Sequence, residues 1–327
     1  MSYKNSQYDR QSTLLETHPE LFSNDLGNGI FKGRPRSFAV NNGVNNLFEP
    51  IREKALQYFQ ENEIAWWGGA TPTTHTLSSQ IACLNHLFLI KSDPAAVLSL
   101  VNNLRPGLSF TRVLPIVLDK IPEYIAFEVV SHGDWLNEGK PSRGANCTSV
   151  DALIVGEDEQ GRRWLLPIEW KYTDAYGLHD NKSREDRRGE QNKGHNDVGK
   201  KRLSRYSNLI DSSDYLKKVP DYLDSIYFFE PFYQLMRQTL WAEQMIKHRA
   251  EEWVNADHFF HVHVIPAENK ELLEAKYLST GKGMEESWRG QLKQNCYQII
   301  TPEYLLSPIK NSSKYSELMN YLSIRYW

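Results

Sequence analysis

The sequence predicts an α/β fold, and three observations carry that prediction. Between residues 77 and 265 the apolar patterning runs helix, strand, strand, strand, helix, strand. Two of the strand runs are joined by the polar stretch EDEQG (157–161), which reads as a hairpin loop. The first helical segment of that series, SSQIACLNHLFLI, is apolar nearly all round, as a helix packed inside a fold must be.

Taken in order, residues 1 to about 48 are polar and rich in Asn and Gly, and read as an arm wrapped on the body or partly disordered. LFEPIREKALQYFQENEI (47–64) has apolar residues at helical spacing. WWGGATPTTHTLSS interrupts the pattern, and Thr76, Ser78 or Ser79 caps the next helix. DPAAVLSLVNNL follows, with Asp93 as N-cap and Pro94 at the first helical position. The predicted strands are 111–118 and 123–130, then 146–156 and 162–174 around the EDEQG loop. Residues 230–253 read as a strong helix with Pro231 near its first turn, and HFFHVHVIPA (258–267) as a buried strand. The domains expected are an arm and helix (1–60), a core (61–270) with a basic insertion at about 178–205, and a C-terminal extension (271–327).

The chain has 327 residues, of which 40% are hydrophobic, enough for a substantial core. Its net charge is −3, so any contact with nucleic acid must come from a local patch. Cys83, Cys147 and Cys296 are widely spaced and form no CxxC pair, which argues against a disulfide framework or a zinc ribbon. The N-terminal residues lack the apolar run of a signal peptide, and no run approaches the ~20 apolar residues of a membrane span. A cytoplasmic protein with no membrane contact is the expectation.

The chemistry concentrates in LLPIEWKYTDAYG (165–177). Side chains alternate along a strand, so Glu169 and Lys171 share one face while Ile168, Trp170 and Tyr172 share the other. A loop over 157–163 pairs Gly156 with Trp164, and the same register sets Asp151 opposite Glu169. Two facing carboxylates repel, and a cation between them removes the penalty. Mg²⁺ suits, because it takes oxygen ligands from one or two carboxylates plus phosphate and water.

These residues resemble the PD-(D/E)xK nuclease superfamily, in an uncharacterised bacterial, restriction-endonuclease-like branch. SVD ending at Asp151 and EWK from Glu169 to Lys171 carry the match, together with an element order like the superfamily's αβββαβ core. Val150 stands where the motif has Pro. The resemblance implies a mixed central sheet flanked by helices, with helical additions at both ends. It also implies Mg²⁺-dependent hydrolysis of DNA phosphodiesters, with Mn²⁺ able to substitute, by an endonuclease of restriction or of defence and repair. Asp151, Glu169 and the Trp170 main-chain carbonyl would hold the metal, and Lys171 would position water or stabilise charge on the phosphate. A homodimer is one implied assembly, and a methyltransferase or helicase partner would be a separate chain. The rival readings are a non-catalytic nucleic-acid-binding or assembly protein that keeps the nuclease fold, and a metal-free protein in which the trio is a surface acid–lysine pair.

Other candidates surround the trio. Glu128, amid the apolar YIAFEVV, is either an extra metal ligand or part of an edge salt bridge, and Glu138 is a further spare acid. Gln80, Gln234, Arg237 and Gln238 sit on helices that can reach the site. His261 and His263 share a strand face but have no obvious third metal ligand, so plain hydrogen bonding is the expectation. Residues 182–205 carry nine Lys or Arg against four acids in an otherwise acidic chain. Arg184, Arg187, Arg188, Lys200, Lys201, Arg202 and Arg205 are therefore the expected contacts to DNA phosphates.

Overall fold

Seven strands make one mixed sheet in the computed structural model, which describes residues 2–104, 107–117, 122–139, 147–176, 197–220, 222 and 225–327, with backbone alone at 197–201. The centre is a long antiparallel hairpin, β5 (Val150–Glu157) and β6 (Arg163–Trp170). On one side β5 pairs antiparallel with β3 (Arg112–Val113) and β4 (Ala126–Val129). On the other side β6 pairs parallel with β7 (His258–Phe259) and β8 (His261–Val264), and β8 with β9 (Tyr297–Ile300). The parallel partner of β6 breaks between Phe259 and His261, beside Pro167, a residue with no backbone N–H to give to a ladder. A separate small hairpin pairs β1 (Ile30–Phe31) with β2 (Arg34–Pro35).

Alternation along β5 and β6 sorts the side chains into two layers. Ala152, Ile154, Leu166, Ile168 and Trp170 face one core, with α3 (Ser79–Leu87), α4 (Pro94–Asn102) and the C-terminal helix Ser316–Arg325. Leu153, Val155 and Leu165 face the other, against α5 (Asp197–Asp211) and α6 (Phe232–Lys247). The helix–strand–strand–strand–helix–strand series is thus present, with a mixed sheet between helical layers. Ser78 and Asp93 cap α3 and α4 through their side chains, as their positions predict. Among the described residues no helix is long and apolar enough to cross a membrane.

Several expectations need correction. The N-terminal segment is packed on the body and carries a helix that the sequence reading did not include, α1 (Tyr3–Thr17). Its buried stripe is Tyr3, Gln7, Gln11, Leu14 and Leu15, so glutamines hide the apolar period. The Tyr172 hydroxyl donates to Gln7 Oε1 at 2.7 Å and accepts from Gln11 Nε2 at 3.2 Å, fixing α1 to the end of the central strand. The run 111–118 is a strand only at Arg112–Val113, because Pro115 cannot donate to a ladder and Ile116 makes an isolated bridge to Glu123. The hairpin ladder reaches Glu157↔Arg163, one pair further than a loop over 157–163 allows. Residues 297–300, read as part of a C-terminal extension, supply the sheet's edge strand.

Candidate active site

The ladder between β5 and β6 stops at Ala152↔Ile168. One step beyond, in the same register, stand Asp151 and Glu169. Trp170 donates its backbone N–H not to β5 backbone but to Asp151 Oδ2, at 2.6 Å. The carboxylate has taken a ladder position, and the end of the hairpin opens into a cleft of about 570 Å³ lined by Asp151, Glu169, Lys171, Gln80, Glu128 and Gln234, among others. In a strand a residue's N–H and C=O point to the same side. The Trp170 carbonyl therefore faces the Asp151 side as well.

Glu169 is 2% exposed, and three donors hold it. Lys171 Nζ and Gln234 Nε2 each lie 2.6 Å from its Oε1, and Gln238 Nε2 donates to Oε2. Lys171 Nζ also donates to Gln234 Oε1 at 2.7 Å, so Gln234 bridges both ends of the ion pair. Both glutamines sit on α6, one turn apart, and their placement follows from i, i+4 spacing on the face toward the sheet. Burial disfavours the Lys171 ammonium, but the Glu169 charge, with Tyr176, Asp174 and Asp151, holds its pKa well above the usual range. That direction favours the charged form of Lys171.

Asp151 has the opposite problem. Burial first, and then the charges of Glu169 and Glu128, push its carboxyl well above the ordinary range, against the help of Lys171 and the Trp170 N–H. The register of β4 sets Glu128 opposite Asp151, but the ladder skips that pair and Glu128 takes φ 49°. A glutamate in the left-handed region carries strain on the order of 1 kcal/mol or more. Gln80 Nε2 donates to Glu128 Oε1 at 2.8 Å, and Ser149 Oγ to Oε2 at 3.2 Å. Burial first, and then the charges of Asp151, Glu128 and Glu169, push the Cys83 thiol well above its ordinary range.

The donor set fits a hard divalent cation. A carboxylate has about four lone-pair sites. Glu169 spends three on its partners, and Asp151 one on Trp170. The mutual repulsion of the acids is what a cation would relieve. Among the described residues no three His, Cys, Asp or Glu side chains are grouped to hold a metal. Two carboxylates and a carbonyl with water suit Mg²⁺, which keeps several waters of its own.

The remaining candidates lie as follows. Glu138 accepts from Thr148 N at 2.5 Å, Tyr206 Oη at 2.5 Å and Arg237 Nε at 3.2 Å, tying the start of β5 to α5 and α6. His263 Nδ1 lies 2.9 Å from the Tyr297 hydroxyl, and burial holds the pKa of both strand histidines down. Of the basic stretch, Arg184, Arg187 and Arg188 lie outside the described residues, and only the backbone of Lys200 and Lys201 is described. Arg202 stacks over the Tyr233 ring at 4.4 Å, and Arg205 reaches the Glu138 carbonyl at 3.4 Å. Sequence reasoning missed the part of the cleft lining supplied by Lys4, Tyr8, Phe31, Lys32 and Trp67. The one signal was the WWGG turn, read only as a helix breaker.

Over residues 5–327 the chain matches the family described as restriction endonuclease associating with ARP. It belongs to that family. The mixed sheet flanked by helices is consistent with a restriction-endonuclease-like fold. No curated protein and no solved structure matches the chain.

Proposed function

We propose that this protein is a Mg²⁺-dependent endonuclease of the PD-(D/E)xK type that hydrolyses DNA phosphodiester bonds. The reading rests on one observation above all. Asp151, Glu169 and Lys171 together line one cleft, with Gln234 and the buried Gln238 orienting the pair. Burying like charges beside one another destabilises a fold. Such a cluster is retained where it binds something.

When bound, Mg²⁺ supplies polarisation of the scissile phosphate and a lowered pKa for the attacking water. Asp151, Glu169 and the Trp170 carbonyl are the groups that would hold it. Lys171 has three N–H donors, of which Glu169 and Gln234 engage two. The third is available to a phosphate oxygen or to the water, where a fixed positive charge stabilises the charge that develops. Gln234 and Gln238 hold the Glu169 carboxylate in place by hydrogen bonds, and Gln234 keeps Lys171 beside it. The family description names association with ARP, so assembly with a second protein belongs to the same proposal.

The test is cleavage of plasmid DNA by the purified chain with Mg²⁺, with EDTA, and with the Lys171→Ala variant. Nicking or linearisation that needs both the metal and Lys171 is expected. Equal cleavage by the variant would exclude this site.

A further inference from the structure

Part of the lining of the cleft that holds the carboxylates is aromatic and basic. Trp66 and Trp67 sit on a tight turn closed by Gly69 N–H to the Trp66 carbonyl at 3.2 Å. Trp66 is buried and stacks on Phe59, with ring centroids 3.8 Å apart and planes 13° apart. That anchor turns its neighbour outward, and Trp67 is 49% exposed. Phe31 of the β1–β2 hairpin stacks against Trp67 at 6.1 Å and 27°. The hairpin turns at Lys32 and Gly33, both with positive φ, which is the tight two-residue connection that matches strand twist.

Charge on this wall has one sign. Lys32, Arg34 and Arg36 are all exposed, and residues 26–48 contain no acid. Lys4 of α1 is exposed and lines the same cleft. The platform is also tied to the acids of the cleft through Gln80. Trp67 donates its backbone N–H to Gln80 Oε1 at 2.9 Å, and Gln80 Nε2 donates to Glu128 at 2.8 Å. One side chain thus fixes the distance between aromatic wall and carboxylates.

We infer that Trp67, backed by Phe31, is a stacking platform for an unpaired nucleobase beside the bond to be cut, with Lys4 and Lys32 holding the flanking phosphates. The inference rests on the nuclease reading and adds its substrate class: DNA with a base outside the helical stack, as in a single strand or a flipped nucleotide. Inside a duplex both faces of each base are covered by neighbours, so an aromatic plane in the cleft gains nothing from fully stacked DNA. An unpaired base offers its free face to any aromatic, independent of sequence. The exposed cations match the phosphates on either side.

The test uses a single-stranded oligonucleotide carrying 2-aminopurine, bound in EDTA so that nothing is cut. Wild-type protein should quench the 2-aminopurine emission. Trp67→Phe should keep the quenching, because it keeps an aromatic plane, and Trp67→Ala should lose it. The alanine variant should bind the oligonucleotide roughly 5- to 140-fold more weakly, the equivalent of ~1–3 kcal/mol per stacked base, and bind paired duplex almost as the wild type does. Trp67 is exposed, so the alanine variant should melt with the wild type. Equal quenching and affinity for wild type and Trp67→Ala would overturn the platform. Metal-dependent plasmid cleavage in that same preparation would leave the nuclease reading standing. Quenching that depends on Trp67, without any Mg²⁺-dependent cleavage by wild type, would uphold the platform and remove the nuclease reading.

Discussion

Replacing His261 with leucine isolates one titration in the centre of the sheet. His261 lies on β8, 1% exposed, with no hydrogen-bond partner for either ring nitrogen among the described residues. Burial holds its pKa down to about 3. An unfolded histidine titrates near ~6.5. The imidazole is thus neutral in the fold and takes up a proton when the chain unfolds. Because the folded pKa lies below the unfolded one, this stability is present above ~6.5 and is lost as pH falls toward the folded value. The slope in that window is ~1.4 kcal/mol per pH unit. At about pH 4.5, two units below the unfolded value, His261 alone costs ~2.7 kcal/mol relative to neutral pH. An unfolding entropy of ~2.1 cal/mol/K per residue turns this into a Tm change of ~4 °C for a chain of 327 residues. His86 and His75 are held down to about 3 and about 4, chiefly by burial, so the wild-type acid limb is steeper than one residue makes it. The comparison of the two proteins removes that background. Melting curves from pH 7.5 to 4 should show the variant losing ~4 °C less than wild type by about pH 4.5. Parallel curves would refute the reasoning, since His261 would then have to be solvated or already charged.

Three further outcomes are expected. Asp151→Asn should abolish Mg²⁺-dependent cleavage yet raise the metal-free Tm at neutral pH by ~1–2 °C, because up to ~1 kcal/mol of like-charge repulsion is removed. The wild-type Asp151 carboxyl titrates above its ordinary range, so the variant's advantage should grow as pH rises from ~4, and a lower Tm at every pH would contradict the account of the acids. Gln238→Leu removes a donor from buried Glu169 and should lower Mg²⁺ affinity by calorimetry, or the cleavage rate, by roughly 10- to 100-fold; no change in either would show that Gln238 does not orient the carboxylate. Neutralising Arg184, Arg187 and Arg188 together should reduce the log–log salt slope of duplex binding by roughly 0.9 per lost phosphate contact, and identical slopes would move the basic contacts elsewhere.

The sequence by itself determined the parts of this protein that depend on local order. Alternation in LLPIEWKY fixed which face Glu169 and Lys171 share, and the length of the EDEQG connection fixed the register that carries Asp151 to the same end. Caps at Ser78 and Asp93 marked two helix starts, because those bonds form within three residues of the cap. Tertiary structure decided what lies far apart in the chain. Gln234 and Gln238 reach Glu169 across more than sixty residues, and only the packing of α6 on the sheet selects them from a polar helix. α1 was invisible because its buried stripe contains Gln7 and Gln11, whose value depends on the Tyr172 hydroxyl they meet. Trp66 and Trp67 are the same residue type in adjacent positions, yet one fills the core against Phe59 and the other walls the cleft. No local pattern distinguishes them, because burial is a property of what the rest of the chain places on either side.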